Sequence, residues 1–509
     1  FHFITPTMKR ALKLFILIVY ITCVECGVNI NERFKINMLE EESNMAVGGQ
    51  IMLNLAETIA NSKLMKLKYA ELEEGFENPF HFNFSKHYFE YQHHIYKSKV
   101  YQIIKKMPKG AALHVHASLM MGSDYIVQLT YMDNLYVCFE DDTIKLLFSV
   151  SVPQRPCFSK WELMSDVRNA STNVYLFDAM LKKYFTMFTE DHRLLTADIN
   201  TVWQRFDKLY YALRPLLSYR PVREKYFYDA LKKFYDDNIM YVEIRSGLSR
   251  MYDLNGTIED PLASAKLYEL VSKKFSEDYP EFIGIKLIFT SHRKIDINKL
   301  REKLEFARKV KTEMPRFLAG IDLVGQEDLG NPLSDYVPTL SRSKNEFDYY
   351  FHAGETNWLG TPSDENLMEA ILLGSKRLGH AYALIKHPGL IKDVKDRDIA
   401  LEINVISNVV LSLVRDVRNH PLATYLAMGL PVVLSSDDPG AWDADPLSHD
   451  FYVAFVGVAS KRANIRTLKQ LAINSITYSA LDDYAKEKAL GLFEIKWQKF
   501  IHELNLMYL

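Results

Sequence analysis

Between residues 44 and 74 the apolar side chains Met45, Ile51, Leu53, Leu55, Ile59, Leu64, Met65 and Leu67 recur at mixed helical spacings with Lys and Glu between them, which predicts one or two amphipathic helices. Beyond Lys105 the rhythm changes. Short runs rich in β-formers, Ala111–His116, Met240–Ile244, Ile283–Phe289, Phe317–Val324, Tyr349–His352, Arg377–His380, Ala400–Ile406 and Pro431–Ser435, alternate with longer stretches. Tyr226–Asp237, Leu262–Asp278, Asp296–Glu313, Glu365–Ser375 and Pro421–Met428 among those stretches read as helices. Eight strands alternating with helices predict an α/β fold, a parallel (β/α)8 TIM barrel rather than an open sheet. The gap of roughly 120 residues between the first two strands is too long for one crossover, so a small insertion at about 127–185 is expected there.

Size and charge narrow the class. The 509 residues can bury a large core, and 48% hydrophobic with 25% charged residues exclude a disordered or fibrous chain. Lys+Arg 62 against Asp+Glu 64 gives a net charge of -2, so no global attraction for nucleic acid exists. Met8-Lys9-Arg10 ahead of the apolar run Leu14–Ile21, followed by Val24-Glu25-Cys26, reads as a secretory signal peptide over 1–26; the alternative is a buried N-terminal helix. The run is too short for the roughly 20 residues of a membrane span, and no later charge-free stretch reaches that length. A secreted, extracellular protein is therefore expected. The sequons at Asn83, Asn169 and Asn255 suit glycosylation in that compartment. There Cys138 and Cys157 either form a disulfide closing a short loop or remain two buried thiols, and an oxidising environment favours the bridge.

In a barrel of this kind chemistry gathers at the C-terminal ends of the strands. The first strand ends on His114-Val115-His116, whose two imidazoles share one face about 6.6 Å apart and can reach one ion. The fifth runs into His352-Ala353-Gly354-Glu355, the sixth into Gly379-His380, and the eighth into Ser435-Ser436-Asp437-Asp438-Pro439. Imidazoles and a carboxylate converging from different strands, beside groups able to move protons, are what an open catalytic Zn²⁺ site requires. The signatures of cytidine deaminases, zincin proteases, triad hydrolases and P-loop kinases are missing.

The set Met107-Pro108-Lys109-Gly110 leading into His114-x-His116, His352-Ala353-Gly354-Glu355-Thr356, Arg377-Leu378-Gly379-His380 and Ser435-Ser436-Asp437-Asp438-Pro439 resembles adenosine deaminases, and most closely their secreted branch, the adenosine deaminase-related growth factors. The resemblance runs from about Lys105 to Leu504, and the helical N-terminal region and cysteine-bearing insertion are similar to that branch as well. It implies that His114, His116, His352 and Asp437 hold one Zn²⁺ per chain, that His380 orients or deprotonates a water, that Glu355 donates a proton to purine N1, and that Asp438 shares a hydrogen bond at N7. It implies further that Gly325 offers its backbone N–H toward N3, and that Trp203 and His292 line the nucleoside and ribose sites; a core Trp and a surface His are the alternatives. The implied substrate is adenosine or 2′-deoxyadenosine, released as inosine and ammonia. The implied assembly is a homodimer through residues 27–105, with the barrel occupying 106–509; the alternative is that those helices fold back on their own barrel.

The sequence departs from the family's pattern at three places. Ala117 follows His116 where Asp is common, Ala381 follows His380 where Gly is usual, and Asn404-Val405 replaces Cys-Pro. A rival reading is a growth-factor-like ligand of the same fold without turnover, whose partner would be a cell-surface receptor or glycan. A third is another barrel amidohydrolase. The intact set of metal-ligating and proton-transfer residues favours the deaminase.

Overall fold

A computed structural model describes residues 31–78 and 81–507, so the expected leader lies outside the described residues. The eight expected strands are present as β1 (Gly110–His116), β2 (Ile239–Ser246), β3 (Gly284–His292), β4 (Leu318–Val324), β5 (His352–Ala353), β6 (Arg377–His380), β7 (Ala400–Ile403) and β8 (Val432–Leu434). They form two four-stranded sheets, β1-β2-β3-β4 and β5-β6-β7-β8, in which every neighbouring pair is parallel. A parallel bridge from Ile321 to Tyr349 joins β4 to the approach of β5, and another from Val115 to Asp437 joins β1 to the exit of β8, so the strands close into a ring. At that second seam His116 N–H donates to Asp437 O and Asp437 N–H donates to His114 O, each at 3.0 Å. Three of the four expected metal ligands, His114, His116 and Asp437, thus sit on the backbone hydrogen bonds that close the barrel.

The fifth and seventh strands differ most from their apolar runs. The fifth pairs only through His352 and Ala353, and the seventh stops at Ile403 because Asn404 leaves the ladder and Val405–Val410 turn into a helix. β-Branched Val405 and Ile406 made that extension look like strand; packing of the helical turn overrides the propensity.

The N-terminal region divides in two. Residues 31–45 are helical and expose Phe34, Ile36 and Met38, whereas Leu55–Glu77 packs on the chain's own C-terminal helix Asp483–Leu506. A capping box starts this second helix: Asn54 Oδ1 accepts from Glu57 N–H, and Glu57 Oε2 accepts from Asn54 N–H, both at 2.9 Å. Glu57 Oε1 also accepts from Trp497 Nε1 at 2.8 Å and Lys469 Nζ at 2.9 Å, which clips the cap to the barrel's outer shell. Leu55–Glu77 therefore packs back on its own barrel, while Leu55, Ile59 and Phe76 on it, like Phe34, Ile36 and Met38 before it, stay exposed.

The insertion after β1 carries a small antiparallel sheet in which Leu135–Phe139 pairs with Ile144–Phe148 and Glu162–Leu163. Cys138 and Cys157 are disulfide-bonded within it, their Cα atoms 6.0 Å apart. Asn169 and Asn255 are exposed and Asn83 is half-buried. No helix among the described residues is long and apolar enough to cross a membrane.

Candidate active site

The ligand atoms of His114, His116, His352 and Asp437 all lie within 4.8 Å of one another. Behind them the second ring nitrogens of two histidines are tied down. His114 Nδ1 meets Glu402 Oε2 at 2.7 Å, and His352 Nδ1 meets Asp322 Oδ2 at 2.6 Å. A carboxylate only accepts, so both Nδ1 atoms carry the proton and both Nε2 atoms present a lone pair. Those two Nε2 atoms face each other at 3.1 Å. Asp437 Oδ1 lies 3.3 Å from His114 Nε2 and 3.1 Å from His116 Nε2, buried and without a hydrogen-bond partner. The lone pairs of His114 and His352, gathered with the unpaired Asp437 oxygen on one point, repel unless a cation occupies it, which is the arrangement a metal site needs. Burial keeps His352 neutral, its pKa down at about 4 although Asp322 works against the shift.

The carboxylates behind the histidines belong to an ionic layer lying wholly inside the barrel. Arg245 Nε donates to Asp322 at 2.8 Å and its Nη2 to Glu402 at 2.7 Å; Arg377 bridges Glu402 and Glu243, at 2.5 Å each. Burial alone would raise Asp322 and Glu402, but His352 and Arg245 hold the first, and Arg245 and Arg377 the second, well below the usual carboxylate range. None of these five residues, Glu243, Arg245, Asp322, Arg377 or Glu402, was singled out as functional from sequence. The signal was a charged residue inside an uninterrupted apolar strand, such as Val242-Glu243-Ile244-Arg245 or Leu401-Glu402-Ile403.

Beside the metal cluster stand the two expected proton-handling groups. Glu355 is 5% exposed, and its Oε1 has no hydrogen-bond partner. Burial, with the negative charges of Asp437 and Glu327 adding to it, pushes its pKa well above the carboxylate range. The loop that presents it is held from behind by Glu327, which accepts from Glu355 N–H at 2.9 Å, from Gly354 N–H at 3.2 Å and from Asn366 Nδ2 at 2.6 Å. His380 lies with Nδ1 3.4 Å from Glu355 and Nε2 3.7 Å from Asp437. A relay orients its ring. Leu422 N–H donates to His420 Nδ1 at 3.0 Å, His420 Nε2–H to Asn408 Oδ1 at 2.9 Å, and Asn408 Nδ2 to His380 Nδ1 at 3.0 Å. In its neutral form His380 therefore carries its proton on Nε2, toward the metal cluster. Asn404, one of the departures, stands 3.5 Å from that same Nε2.

A cavity of about 550 Å³ opens onto this cluster and brings together the remaining expected residues Asp438, Gly325, Trp203 and His292. Asp438 Oδ1 accepts from the Tyr210 hydroxyl at 2.8 Å, a partner that sequence reasoning missed. Trp203 is 7% exposed and His292 lies at the solvent side, so both lie on the wall of one pocket. Gly325 has φ +96°, and a Cβ there would stand 2.7 Å from His292 Nε2, so both the backbone and the neighbouring ring demand glycine. Ala117 is buried in the same wall.

Residues 186–494 match the family described as adenosine deaminase, and residues 29–104 match the adenosine/AMP deaminase N-terminal family. The chain is 39% identical over 506 residues to adenosine deaminase 2 of Homo sapiens, covering 98% of each chain. It is 40% identical over 470 residues to an adenosine deaminase of Lutzomyia longipalpis, covering 92% of each. Its fold is similar to that of an arabidopsis N6-mAMP deaminase, with a TM-score of 0.56 at 18% identity over 77% of this chain and 99% of the other. The ring of strands, the convergent ligands and a match over most of the sequence agree: the chain belongs to the adenosine deaminase family of enzymes.

Proposed function

We propose that the protein is a Zn²⁺-dependent adenosine deaminase acting outside the cell, converting adenosine, and 2′-deoxyadenosine, to inosine and ammonia. The observation that carries the metal is the convergence of unprotonated Nε2 atoms and the unpaired Asp437 Oδ1 on one buried point. Three imidazoles and a carboxylate suit Zn²⁺ rather than the oxygen-seeking Mg²⁺ or Ca²⁺. His114, His116, His352 and Asp437 would hold it, and the ion would supply a water whose pKa falls from 15.7 to roughly 7.

The chain's own residues do the rest. Glu355, kept protonated by burial, gives its proton to purine N1, so that C6 becomes electrophilic and charge does not build up on the ring. His380 orients the water through Nε2–H while the Asn408–His420 relay fixes its ring. The water oxygen bonds to C6 and the C6–N6 bond breaks; one water proton leaves with the amine as ammonia and the other restores Glu355. Asp438, set by Tyr210, shares a hydrogen bond at N7, and Gly325 leaves room for its N–H to approach N3. Trp203 and His292 line the nucleoside and ribose ends.

The sequence over 8–26, the exposed sequons at Asn169 and Asn255 and the Cys138–Cys157 bond support export. The exposed Phe34, Ile36 and Met38 support a homodimer formed through residues 31–45, where burial would stabilise by about 25 cal/mol per Å². Purified protein incubated with adenosine should release inosine and ammonia, stop on chelation and recover with Zn²⁺. A metal-replete protein that leaves adenosine untouched ends this reading. Sedimentation of the intact chain and of one beginning near Tyr101 tests the assembly: a monomer at micromolar concentration, or a truncated chain that still dimerises, removes the proposed interface.

A further inference from the structure

A second, smaller cavity of about 210 Å³ lies between the N-terminal region and the helix Ile199–Ser218. A sphere of that volume is about 7 Å across, so every group on its wall can reach the same small molecule. The wall is mainly apolar, with Phe89, Met187, Val202 and Val410 all buried in it. Arg205 brings a charge into it. The guanidinium is half-buried, and its one hydrogen bond among the described residues runs from Nη2 to Phe188 O at 3.1 Å. No carboxylate lines the cavity or pairs with Arg205 among the described residues, and the exposed Lys208 on the same wall is already paired with Asp142. His87 stands beside Arg205. Its Nδ1 accepts from Phe89 N–H at 3.3 Å, so the neutral ring carries its proton on Nε2, where no acceptor meets it among the described residues. Burial, and after it the positive charge of Arg205, bring the His87 pKa down to about 4, so the ring stays neutral and keeps that one proton to offer.

A half-buried guanidinium with a single hydrogen bond and no countercharge is costly, and its fork matches the two oxygens of a carboxylate. Sulfate or phosphate would turn part of its charge toward the apolar wall. A carboxylate carries its charge at one end and leaves the other for that wall. We infer that this cavity binds a small monocarboxylate with a short apolar body, its oxygens on Arg205 and His87 Nε2–H and its chain against Phe89, Met187, Val202 and Val410. The site is separate from the metal cluster and needs nothing from the reaction there, yet its walls adjoin those of the larger cavity. Val202 precedes Trp203 and Val410 precedes Leu411, and both of these successors line the larger cavity.

Calorimetric titration of the full chain with acetate, butyrate and hexanoate tests the site. Affinity should rise along the series by roughly threefold to fourfold per methylene, the value of burying one CH₂. 1-Hexanol lacks the charge and sulfate lacks the apolar body, so each should bind at least about tenfold more weakly than hexanoate. R205Q should weaken hexanoate by roughly tenfold or more, as expected on losing a charge-assisted pair, and R205K by less. A197F, which adds a ring to the cavity wall and leaves Arg205 in place, should weaken hexanoate more than acetate, and it decides the matter if R205Q does not fold. Hexanoate that binds no better than acetate, sulfate or 1-hexanol would overturn the inference. So would hexanoate binding that R205Q and A197F leave unchanged, or binding that a chelator abolishes, which would put the carboxylate on the metal instead.

Discussion

Two layers lie one above the other inside the barrel, and their polar atoms are treated in opposite ways. In the upper layer Asp437 Oδ1 and Glu355 Oε1 are buried and unpaired, and two imidazole lone pairs confront each other. In the lower layer each charge of Glu243, Arg245, Asp322, Arg377 and Glu402 has an opposite charge or a backbone group against it. Unsatisfied buried groups cost stability, so the upper layer is a liability until something binds there, whereas the lower layer holds the histidines in the one tautomer that leaves the liability in place. The contrast separates residues that should matter for chemistry from residues that should matter for both metal and fold.

The largest expected effect comes from emptying the upper layer. Asp437→Ala should lose the metal and depress turnover on the order of 10⁴-fold, since metal-ion stabilisation is worth several kcal/mol. Metal analysis alongside inosine formation checks both halves; a variant that keeps stoichiometric zinc shows that Asp437 is no ligand. Glu355→Gln should keep the zinc and lose roughly 10²–10⁴-fold in turnover, because an amide cannot deliver the proton. Its melting temperature should not fall, as the carboxyl it replaces is already forced toward its neutral form. Near-normal turnover would reassign the proton donor.

A change in the lower layer should behave differently. Glu402→Gln leaves Arg245 and Arg377 short of a buried countercharge, and its single amide oxygen can face either His114 and Arg245 or Arg377 but not both sides, so metal affinity should drop by roughly 10–100-fold and stability by about 3–5 kcal/mol. Calorimetry and a zinc-competition titration read the two losses. If Glu402→Gln weakened zinc without lowering the melting temperature, the layers would not be distinct in the way their hydrogen bonds suggest.

This division also explains what could be read in advance. β-Rich runs between helical stretches pointed to the eight strands, because a parallel strand buried on both faces writes a continuous apolar signal. Strand ends exposed the upper layer, since polar residues following such a run have no packing reason to be there. The lower layer escaped because its partners are far apart in sequence: His114 meets Glu402 across 288 positions and Arg377 meets Glu243 across 134, pairings that only barrel closure creates. Tyr210 on Asp438, 228 positions apart, was hidden for the same reason, and Asn408 on His380 because it lies on the helical turn that was read as the end of the seventh strand. Asn404 and Val405 misled, as the seventh strand ends where side-chain pattern alone continued it.

The smallest effect lies at the seam between the layers, where the chain leaves β6. His380 and Ala381 both have positive φ, +61° and +47°, and Ala381 is fully buried. A left-handed conformation costs an ordinary residue roughly 1–2 kcal/mol and glycine almost nothing, although glycine also loses more chain entropy on folding. Ala381→Gly should therefore stabilise by about 0.5–1 kcal/mol. Turnover should change little, because the turn is already tied by Ala381 N–H to Gly379 O at 2.8 Å and by the Tyr425 hydroxyl to Ala381 O at 2.9 Å, so the methyl does not set where His380 stands. Thermal denaturation and kcat measured on one preparation decide it. A lower melting temperature would mean that the methyl contributes more packing than the backbone loses in strain, and a change in kcat of about tenfold would show that Ala381 helps place the His380 ring.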